Sequence, residues 1–454
     1  MKSITFQIIA LCALLSIMLA ACGSSASLSV AESSKSRDKN PEIAEGNLAD
    51  LVDGNNAFAL DIYNALRSEN GNLILSPYSM SLALAMTYAG ARGDTESQMA
   101  QALHYAPQEQ LHPAFNALDL ELEKKPINLD KDQEPLQINI ANSVWTEKTL
   151  PLMPEFLDTI AVNYGAGIHL SDFMNKPNEE RVAINNWVSD ETEERIKDLL
   201  PDGTISPDTR MVLVNAIYFK ADWFNKFDPN STHDGAFHLL DGTEATVKVM
   251  GETMHDVPYV QGNGYQAIEL AYAGETAAMD IILPDEGNFE TFEASFDKAV
   301  YDEVINGLQI ASSARVNLPK FEFTKDFNLS DALMSLGMTD AFDRGLADFS
   351  GMTGDKDLFI GNVIHKAFVA VDEEGTEAAA ATAVVMEATG APMQDILFIV
   401  DRPFLFIIRD TVNGQILFVG RVQPAISITL LRRGKKQQNA ESQRVFYLLS
   451  PQRL

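Results

Sequence analysis

Apolar segments with helical or strand spacing follow one another from about residue 51 to residue 422, with no long Pro, Gly or Ser tract and no repeat of fixed period between them. The length of 454 residues alone would suggest two or three domains. A boundary between domains would interrupt the pattern with an exposed, polar linker. The unbroken pattern therefore favours one large domain, and a hydrophobic content of 46% is ample for its core.

Helical and strand patterns are distributed unevenly along this stretch. Apolar spacing predicts a buried helix over residues 82–103 and an amphipathic helix over residues 185–199. Strand-like runs become frequent toward the C-terminal third, and the predicted strands are residues 136–144, 210–219, 277–283, 314–323, 366–371, 395–400, 403–409 and 415–422. A helix-rich first half followed by a strand-rich last third is typical of the α+β class.

The start of the chain has the layout of a lipoprotein precursor. Residues 1–21 contain Lys2 and an apolar run that is too short, and too abruptly followed by polar residues, to span a membrane. The sequence LAAC that ends at Cys22 resembles the bacterial lipobox, in which the chain is cut before the cysteine and lipid is attached to it. An ordinary signal peptide with an incidental cysteine is the alternative.

The two segments that flank the domain differ in character. Residues 22–46 are Ser-rich and polar, which predicts a flexible tether between lipid on Cys22 and the domain. The expected location is therefore the bacterial cell envelope, with the protein secreted and anchored by lipid on the periplasmic face or the cell surface. Residues 426–454 form a basic C-terminal extension with six Lys and Arg residues and one acid, Glu441, and the sequence assigns it no role.

Composition argues against several kinds of site and partner. The only cysteines are Cys12 and Cys22, so no disulfide is expected in the folded part, and packing must hold it together. The seven histidines show no ligand spacing, so neither a metal site nor a cofactor is expected. A net charge of -30 argues against nucleic acid as a partner and against direct adhesion to anionic membrane surfaces.

One unusual segment, residues 373–390, reads EEGTEAAAATAVVMEATG. Local propensity favours an alanine-rich helix or linker here, because Ala is the best helix former. In a strand, however, the even-numbered residues from 376 to 388 would share one uncharged face, and Glu377 and Glu387 would lie on the other. This pattern is what a loop needs if it is to become a buried strand.

The flanking sequences decide between these readings. They are HKAFVAVD at 365–372 and FIVDRPFLFII at 398–408, and with residues 373–381 they resemble the C-terminal third of the serpin family of protease inhibitors. Further segments look like serpin hallmarks and occur in the family's order: NLILSPYSM at 72–80, LVNAIYFK at 213–220 and FVGRV at 418–422. The resemblance covers about residues 47–425. It implies the serpin fold, with three β-sheets, eight or nine helices and an exposed reactive-centre loop at about 373–394.

The resemblance also implies three groups of functional residues. The hinge of the loop consists of Glu373, Glu374, Gly375, Thr376, Glu377, Ala378, Ala379, Ala380 and Ala381. Beneath the central sheet, a cluster called the shutter is expected to contain Ser76, Ser79, Asn215 and His365, and Trp223 is expected near the top of the sheet, at the breach. Taken alone, the four polar residues would be interpreted as capping or loop residues and Trp223 as a core aromatic.

No enzymatic motif was found in the sequence. There is no GxSxG motif and no Gly-rich phosphate loop with a following Lys, so the chain is predicted not to be an enzyme. The resemblance implies that a target serine protease supplies the nucleophile and forms an acyl-enzyme with the loop, which then inserts into the central sheet as a new strand. The uncharged inward face suits insertion, and Gly375 offers a permissive pivot.

These features favour a working inhibitor, expected to be a monomer, that consumes itself as a suicide substrate. Two alternatives stay open. One is a non-inhibitory serpin that acts as a binding or chaperone-like protein, and the other is a lipoprotein hydrolase with an unrecognised site.

The position of the reactive bond depends on where the count begins. Counting from Glu373, the seventeenth residue gives Thr389-Gly390. Counting back from Pro403 leads to a position near Pro392, about three residues later. The small residues before Gly390 suit an elastase-like or subtilisin-like serine protease, and a papain-like cysteine protease stays open. With no Lys or Arg from residue 376 to residue 395, trypsin-like enzymes are poor candidates.

Overall fold

A computed structural model of the chain describes residues 29–124, 129, 133, 136–376 and 396–423. Within them, one seven-stranded and one nine-stranded β-sheet are accompanied by ten α-helices, in agreement with the predicted α+β class. The predicted lipidation site Cys22, hinge residues 377–381, the reactive bond Thr389-Gly390 and the basic extension lie outside the described residues.

The helices lie mainly in the N-terminal half of the chain. Three of them begin with Pro, whose missing N–H is harmless in the first turn of a helix. Their bounds are α1 (Asn47–Leu66), α2 (Pro77–Tyr88), α3 (Gly93–Ala102), α4 (Gln108–Leu122), α5 (Pro154–Tyr164), α6 (Pro177–Glu191), α7 (Phe289–Ser295), α8 (Lys298–Gly307), α9 (Ser330–Ser335) and α10 (Ser350–Thr353). The last two are single turns or little more, so ten helices in the described residues agree roughly with the eight or nine expected.

The seven-stranded sheet contains the segments that matter most for function. Its strand order is β1 (Ser29–Ala31), β4 (Ile168–Ser171), β3 (Gln137–Glu147), β5 (Met211–Asp222), β13 (Gly375–Thr376), β12 (Asn362–Val371) and β11 (Phe321–Asn328). Strand β5 is buried at every position except the half-buried Lys220. Its long apolar sequence is explained by cover on both faces of the sheet.

The nine-stranded sheet has two parts. Its order is β14 (Ile396–Ile399), β10 (Gln309–Pro319), β7 (Glu244–Gln261), β8 (Tyr265–Ala271), β9 (Ala277–Pro284), β15 (Phe404–Asp410), β16 (Ile416–Val422) and β2 (Leu73–Leu75), with β6 (His233–His238) also paired to β7. Strand β7 pairs with β10 over residues 249–259 and with β8 only over residues 259–261. The seven-stranded sheet is one of the three expected sheets. The other two are the two parts of the nine-stranded sheet, which meet at the end of β7.

The alternation of side chains along β5 divides the core in two. Leu213, Ile217 and Phe219 belong to the main core, which includes residues of both sheets and of helices α1, α2 and α4. Val212 and Val214, on the other face of β5, join a smaller core beneath α6. Odd-numbered residues of β5 therefore point to the main core and even-numbered residues to the opposite face.

Both helices predicted from spacing need correction. Residues 82–103 form parts of two helices, α2 and α3, because the chain turns at Gly90 to Gly93. A Cβ atom at Gly90 would lie 2.1 Å from Met352 Cγ, and Gly93 has a φ of +57°. The helix predicted over 185–199 ends at Glu191, since Glu193 and Glu194 adopt left-handed φ angles of 50° and 61°.

Residues 29–46, expected to belong to a flexible tether, instead lie against the body, and we call them the N-terminal arm. Strand β1 pairs with β4 from Ser29↔Leu170 to Ala31↔Ile168. The Arg37 guanidinium donates to Asp119 at 2.6 Å and to Glu123 at 2.8 Å. The prediction of a tether is wrong for this part, because backbone pairing, a charged contact and the packing of Ile43 against the main core hold the arm to the body.

Candidate functional site

The centre of the seven-stranded sheet contains an opening between β5 and β12. At one end of these strands, residues 212–217 of β5 pair in parallel with residues 362–367 of β12. At the other end β13 lies between them, with Thr376 opposite Ala221 on β5 and opposite Val371 on β12. The two strands are thus joined directly at one end and separated by a two-residue strand at the other.

Between these two zones, three positions of each strand border the opening. Residues 218–220 of β5 and 368–370 of β12 pair neither with each other nor with β13 in the described part of the chain. On their outer sides these residues keep their pairing to β3 and β11. Among the described residues, the sheet therefore has a slot that is about three residues long and begins where β13 ends.

The hinge enters the sheet at Gly375 and Thr376 and is not exposed there. The N–H of Asp372 donates to the carbonyl of Gly375 at 2.9 Å, which closes a tight turn between β12 and β13. A Cβ atom on Gly375 would lie 2.1 Å from the Ala221 carbonyl oxygen, and the φ of Gly375 is not left-handed. Glycine is therefore required at 375 for close approach to β5, and its expected role as a pivot stays a prediction.

The first two carboxylates of the hinge are held by lysines. Glu373 accepts hydrogen bonds from Lys320 and, at 2.6 Å, from the Thr232 hydroxyl. Burial tends to raise the pKa of Glu373, but these hydrogen bonds outweigh it and leave the pKa below its ordinary value. Glu374 pairs with Lys226 at 2.8 Å. The exposed loop predicted from about residue 373 is thus corrected: residues 373–376 are buried at the end of the sheet because their charges and backbone are satisfied there.

Trp223 lies beside the hinge, near the end of β5. Its indole N–H donates to the Asp372 carbonyl at 2.9 Å, and its backbone N–H donates to the Glu374 carbonyl at 2.8 Å. Tyr272 stacks on the indole with ring centroids 4.6 Å apart. The Tyr272 hydroxyl is 2.7 Å from the Thr376 hydroxyl, and Thr376 is only 1% exposed. The aromatic pair therefore forms the wall against which the first inserted side chain rests.

The four predicted shutter residues are buried and lie together where β5 and β12 are directly paired. Asn215 and His365 are opposite each other in that pairing. Asn215 Nδ2 donates to Ser79 Oγ at 2.6 Å and to Asn142 Oδ1 at 2.5 Å. Ser76 Oγ donates to the Leu417 carbonyl at 2.8 Å. The cluster thus joins helix α2 to strands β3, β5 and β12.

His365 has a defined tautomer in this cluster. Its Nε2 atom accepts the backbone N–H of Ser76 at 3.1 Å, so the ring proton is on Nδ1 and is donated to Asn215 Oδ1. Burial lowers the pKa of His365 to about 3, so the ring is neutral near pH 7. Protonation of Nε2 would place its N–H against the N–H of Ser76, so that two donors would face each other. The neutral ring therefore fits the site.

Several contributors were missed by the sequence reasoning. Asn142, on β3, bridges Ser79 and Asn215, and Lys226, Lys320 and Tyr272 hold the hinge. An asparagine at position 142, among the apolar residues of β3, was the available signal, but Asn139 in the same strand offered an equal one. The two lysines and the tyrosine carried no signal, because their role depends on strand pairings far apart in the sequence.

Metal binding and membrane crossing were also considered. Among the residues that the structure describes, no group of three His, Cys, Asp or Glu side chains is placed to hold a metal ion. No described helix combines the length and the apolar character that crossing a bilayer requires.

Comparisons with known proteins agree with this geometry. The family model described as "Serpin (serine protease inhibitor)" matches residues 53–424. The chain is 38% identical over 375 residues to a leukocyte elastase inhibitor of Xenopus laevis, covering 80% of this chain and 96% of the relative. It is 38% identical over 384 residues to an uncharacterized serpin-like protein of Thermococcus kodakarensis, covering 84% and 87% of the two chains.

Solved structures give the same result. The crystal structure of tengpin, a thermophilic serpin, in its native state superposes with a TM-score of 0.75 at 29% identity, covering 87% of this chain and 98% of tengpin. Serpin48 of the insect Tenebrio molitor gives a TM-score of 0.73 at 30% identity, covering 85% and 100% of the two chains. Human thyroxine-binding globulin also matches, with a TM-score of 0.73 at 28% identity over 84% of this chain and 100% of that chain.

Proposed function

This chain belongs to the serpin family, and we propose that it inhibits a serine protease as a suicide substrate, trapping the acyl-enzyme by inserting its cleaved loop into the seven-stranded sheet. The observation that carries the proposal is the slot between β5 and β12, with β13 already at its entrance. An enzymatic role is set aside, since the chemistry of such a reaction belongs to the target protease.

The register of β13 can be continued into the slot. Because Thr376 faces Ala221 and Val371, each further loop residue would face one residue earlier on both strands. Residues 377–379 would then fill the three positions between β5 and β12. Ala380 would be the first to displace an existing pair, Ile217↔Ala367. Three residues can therefore enter before the sheet has to open.

The same register distributes the side chains of the loop. Thr376 lies opposite Ala221, an odd-numbered residue of β5 that belongs to the main core. Even-numbered loop residues up to Ala388 would share that face, and none of them is charged. Glu377 and Glu387 would lie on the other face, opposite Lys220 and Arg210 respectively. Both carboxylates of the inserted segment would thus meet a cation.

The shutter would hold β5 and β12 together until the loop inserts between them. In the same register Thr382 would face Asn215 and His365, so insertion must break the hydrogen bond between those two side chains. Two new strand ladders would replace the single β5–β12 pairing. That gain in main-chain hydrogen bonding and apolar burial supports a stable trapped state.

The target and the anchor are part of the proposal. We place the attacked bond at Thr389-Gly390, where small residues suit an elastase-like or subtilisin-like protease. The name of the Xenopus relative, leukocyte elastase inhibitor, supports the same class of target. We also propose that Cys22 carries lipid and holds the inhibitor at the bacterial envelope, as the lipobox-like sequence indicates. Mass spectrometry of the C-terminal fragment released from a denatured complex tests the bond.

The insertion mechanism is tested by comparing Thr376→Arg with Glu377→Arg. In Thr376→Arg a cation would replace a 1% exposed hydroxyl beside Tyr272, at a cost of several kcal/mol if it stays unpaired. Hydrolysis should then outrun insertion, so the variant is cut as a substrate. Glu377→Arg should be milder, because that side chain is assigned to the outward face, where a like charge opposite Lys220 costs only about 1 kcal/mol.

The measurement is the number of inhibitor molecules consumed for each protease molecule inactivated, together with SDS-resistant complexes. Stable complexes near one to one with Thr376→Arg would show the insertion mechanism to be wrong. If the wild-type loop is cut without trapping and without a rise in thermal stability, the chain is the alternative, a non-inhibitory binding or chaperone-like serpin.

A further inference from the structure

The pairing of strands fixes which end of the seven-stranded sheet the N-terminal arm reaches. Strand β5 ends at Asp222, which is opposite Gly375 of the hinge. Strand β3 is antiparallel to β5, so its last residue, Glu147, lies at the other end, where its N–H donates to the Arg210 carbonyl at 2.9 Å. We call these the hinge end and the base of the sheet.

Two further strand pairings show at which end of the sheet the N-terminal arm lies. Strand β4 is parallel to β3, with Ser171 opposite Glu147 at the base. Strand β1 is antiparallel to β4, with Ser29 opposite Leu170. The first described residue of the chain therefore lies at the base, and the chain that precedes it reaches the body at the end opposite the hinge.

Several contacts fix the arm to the body, so its position at the base is well defined. Besides the β1–β4 pairing, Arg37 is bound to Asp119 and Glu123, and the N–H of Asp38 donates to the Val162 carbonyl at 3.0 Å. The Ser33 hydroxyl donates to Asp158 at 2.5 Å. Contacts with α4, with α5 and with β4 thus hold residues 29–38 at several points along their length.

The chain between Cys22 and Ser29 is short compared with the sheet. Seven Cα-to-Cα steps span at most about 24 Å when fully extended. Strand β5 alone, at twelve residues, is about 36 Å long. A lipid on Cys22 can therefore be close to the base while remaining far from the hinge end.

We infer that the lipid-anchored protein stands on the bilayer with the base of the seven-stranded sheet toward the lipid and the hinge end, with its reactive loop, turned away. This inference rests on the proposed lipidation of Cys22. The net charge of -30 adds to it, since an anionic headgroup surface repels the body and leaves the short N-terminal segment as the connection. The partner is the lipid surface, reached through the base.

The test uses energy transfer from a dye on the protein to acceptor-labelled lipids in vesicles of phosphatidylcholine with anionic phosphatidylglycerol. Two exposed sites are matched about the ends of β5. Asp208→Cys lies three residues before Met211 at the base, and Asn225→Cys lies three residues after Asp222 at the hinge end. The described residues contain no cysteine, Cys12 would be removed with the signal peptide, and the Cys22 thiol is occupied by lipid, so the mature lipidated protein is labelled once.

Transfer should be several-fold stronger from the label at position 208 than from the label at position 225. Equal transfer, or stronger transfer from position 225, would overturn the orientation. A wild-type protein that does not associate with vesicles, like the Cys22→Ser control, would remove the anchor and the orientation with it. Complex formation by the Cys22→Ser protein in solution reports on inhibition separately, so the two proposals can fail independently.

Discussion

Single buried polar residues decide how firmly the sheet is closed below the slot. His365 accepts the Ser76 N–H and donates to Asn215, so it links the strand it belongs to with both α2 and β5. A neutral imidazole is the only form that makes both contacts, since each ring nitrogen has one role. The sequence could predict that Ser76, Ser79, Asn215 and His365 act together, because each stands in a recognisable segment. It could not predict the bridging role of Asn142, which depends on the register of β3 against β5.

We expect the stability of the native state to fall on mild acidification partly through His365. Its folded pKa is about 3 and its ordinary value is 6.5, so the unfolded chain takes up the proton first as pH falls. The stabilisation is fully present above pH 6.5 and is lost progressively as pH falls toward 3. Between pH 7.5 and 5.5 the loss from this one residue is about 1.4 kcal/mol. Denaturant unfolding at the two pH values measures it.

The matched variant is His365→Gln, which removes the titrating group and leaves His112, whose pKa burial also lowers, to about 4. The variant should lose about 1.4 kcal/mol less than the wild type over the same interval. Identical pH dependence in the two proteins would contradict the role assigned to His365.

At the scale of the elements, the slot beside β13 would set both the path and the register of insertion in the proposed mechanism. The predicted strands agree with the observed β3, β5, β9, β12, β15 and β16 to within a few residues at most ends, because strand propensity and burial coincide there. The break between α2 and α3 was not predictable, since it depends on the contact of Gly90 with Met352. That the hinge already occupies two positions of the sheet was equally invisible, because it depends on the close approach of Gly375 to Ala221.

The register can be tested by reversing a charge pair across the slot. In the loop-inserted form Lys220 and Glu377 would be direct cross-strand neighbours on one face. Lys220→Glu should destabilise the loop-cleaved protein by about 1 kcal/mol, because like charges opposite each other repel.

The control is the double variant Lys220→Glu with Glu377→Lys, which restores opposite charges. Its loop-cleaved form should regain most of the lost stability, measured by the midpoint of denaturant unfolding. A double variant that is no more stable than Lys220→Glu alone would mean that the loop inserts in another register.

At the scale of the whole molecule, the N-terminal arm is a structural part of the body. The family match begins at residue 53, and the sequence suggested a domain from residue 47, so both boundaries leave the arm outside. Its polar composition is typical of a tether, whereas the β1–β4 pairing and the contact of Arg37 with the half-buried carboxylate of Asp119 on α4 hold it to the body. Burial raises the pKa of Asp119 even beside Arg37, so this carboxylate depends on its cation.

We predict unequal effects for two substitutions in the arm. The Arg37 side chain is 11% exposed and its partner Asp119 is 24% exposed. Arg37→Ala should lower the free energy of unfolding by about 2 kcal/mol, below the 3–5 kcal/mol of a fully buried pair, because Asp119 keeps some contact with water. Lys35→Ala should have little effect, since Lys35 is 59% exposed and its pair with Asp158 is screened by solvent. Equal losses in the two variants would contradict a specific role for the Arg37 contact.

The entry of the chain at the base of the sheet would also make the proposed lipid anchor a mechanical load on the proposed trapping reaction. In the proposed mechanism a loop that inserts from the hinge end pulls its attached protease toward the base, which is the end that would face the lipid in the inferred orientation. A protease of about 225 residues is roughly 45 Å across, whereas the chain from Cys22 to Ser29 can extend at most about 24 Å. An upright, anchored molecule would leave no room for the protease between its base and the bilayer. Full insertion of the loop would therefore require the body to tilt or β1 to separate from β4.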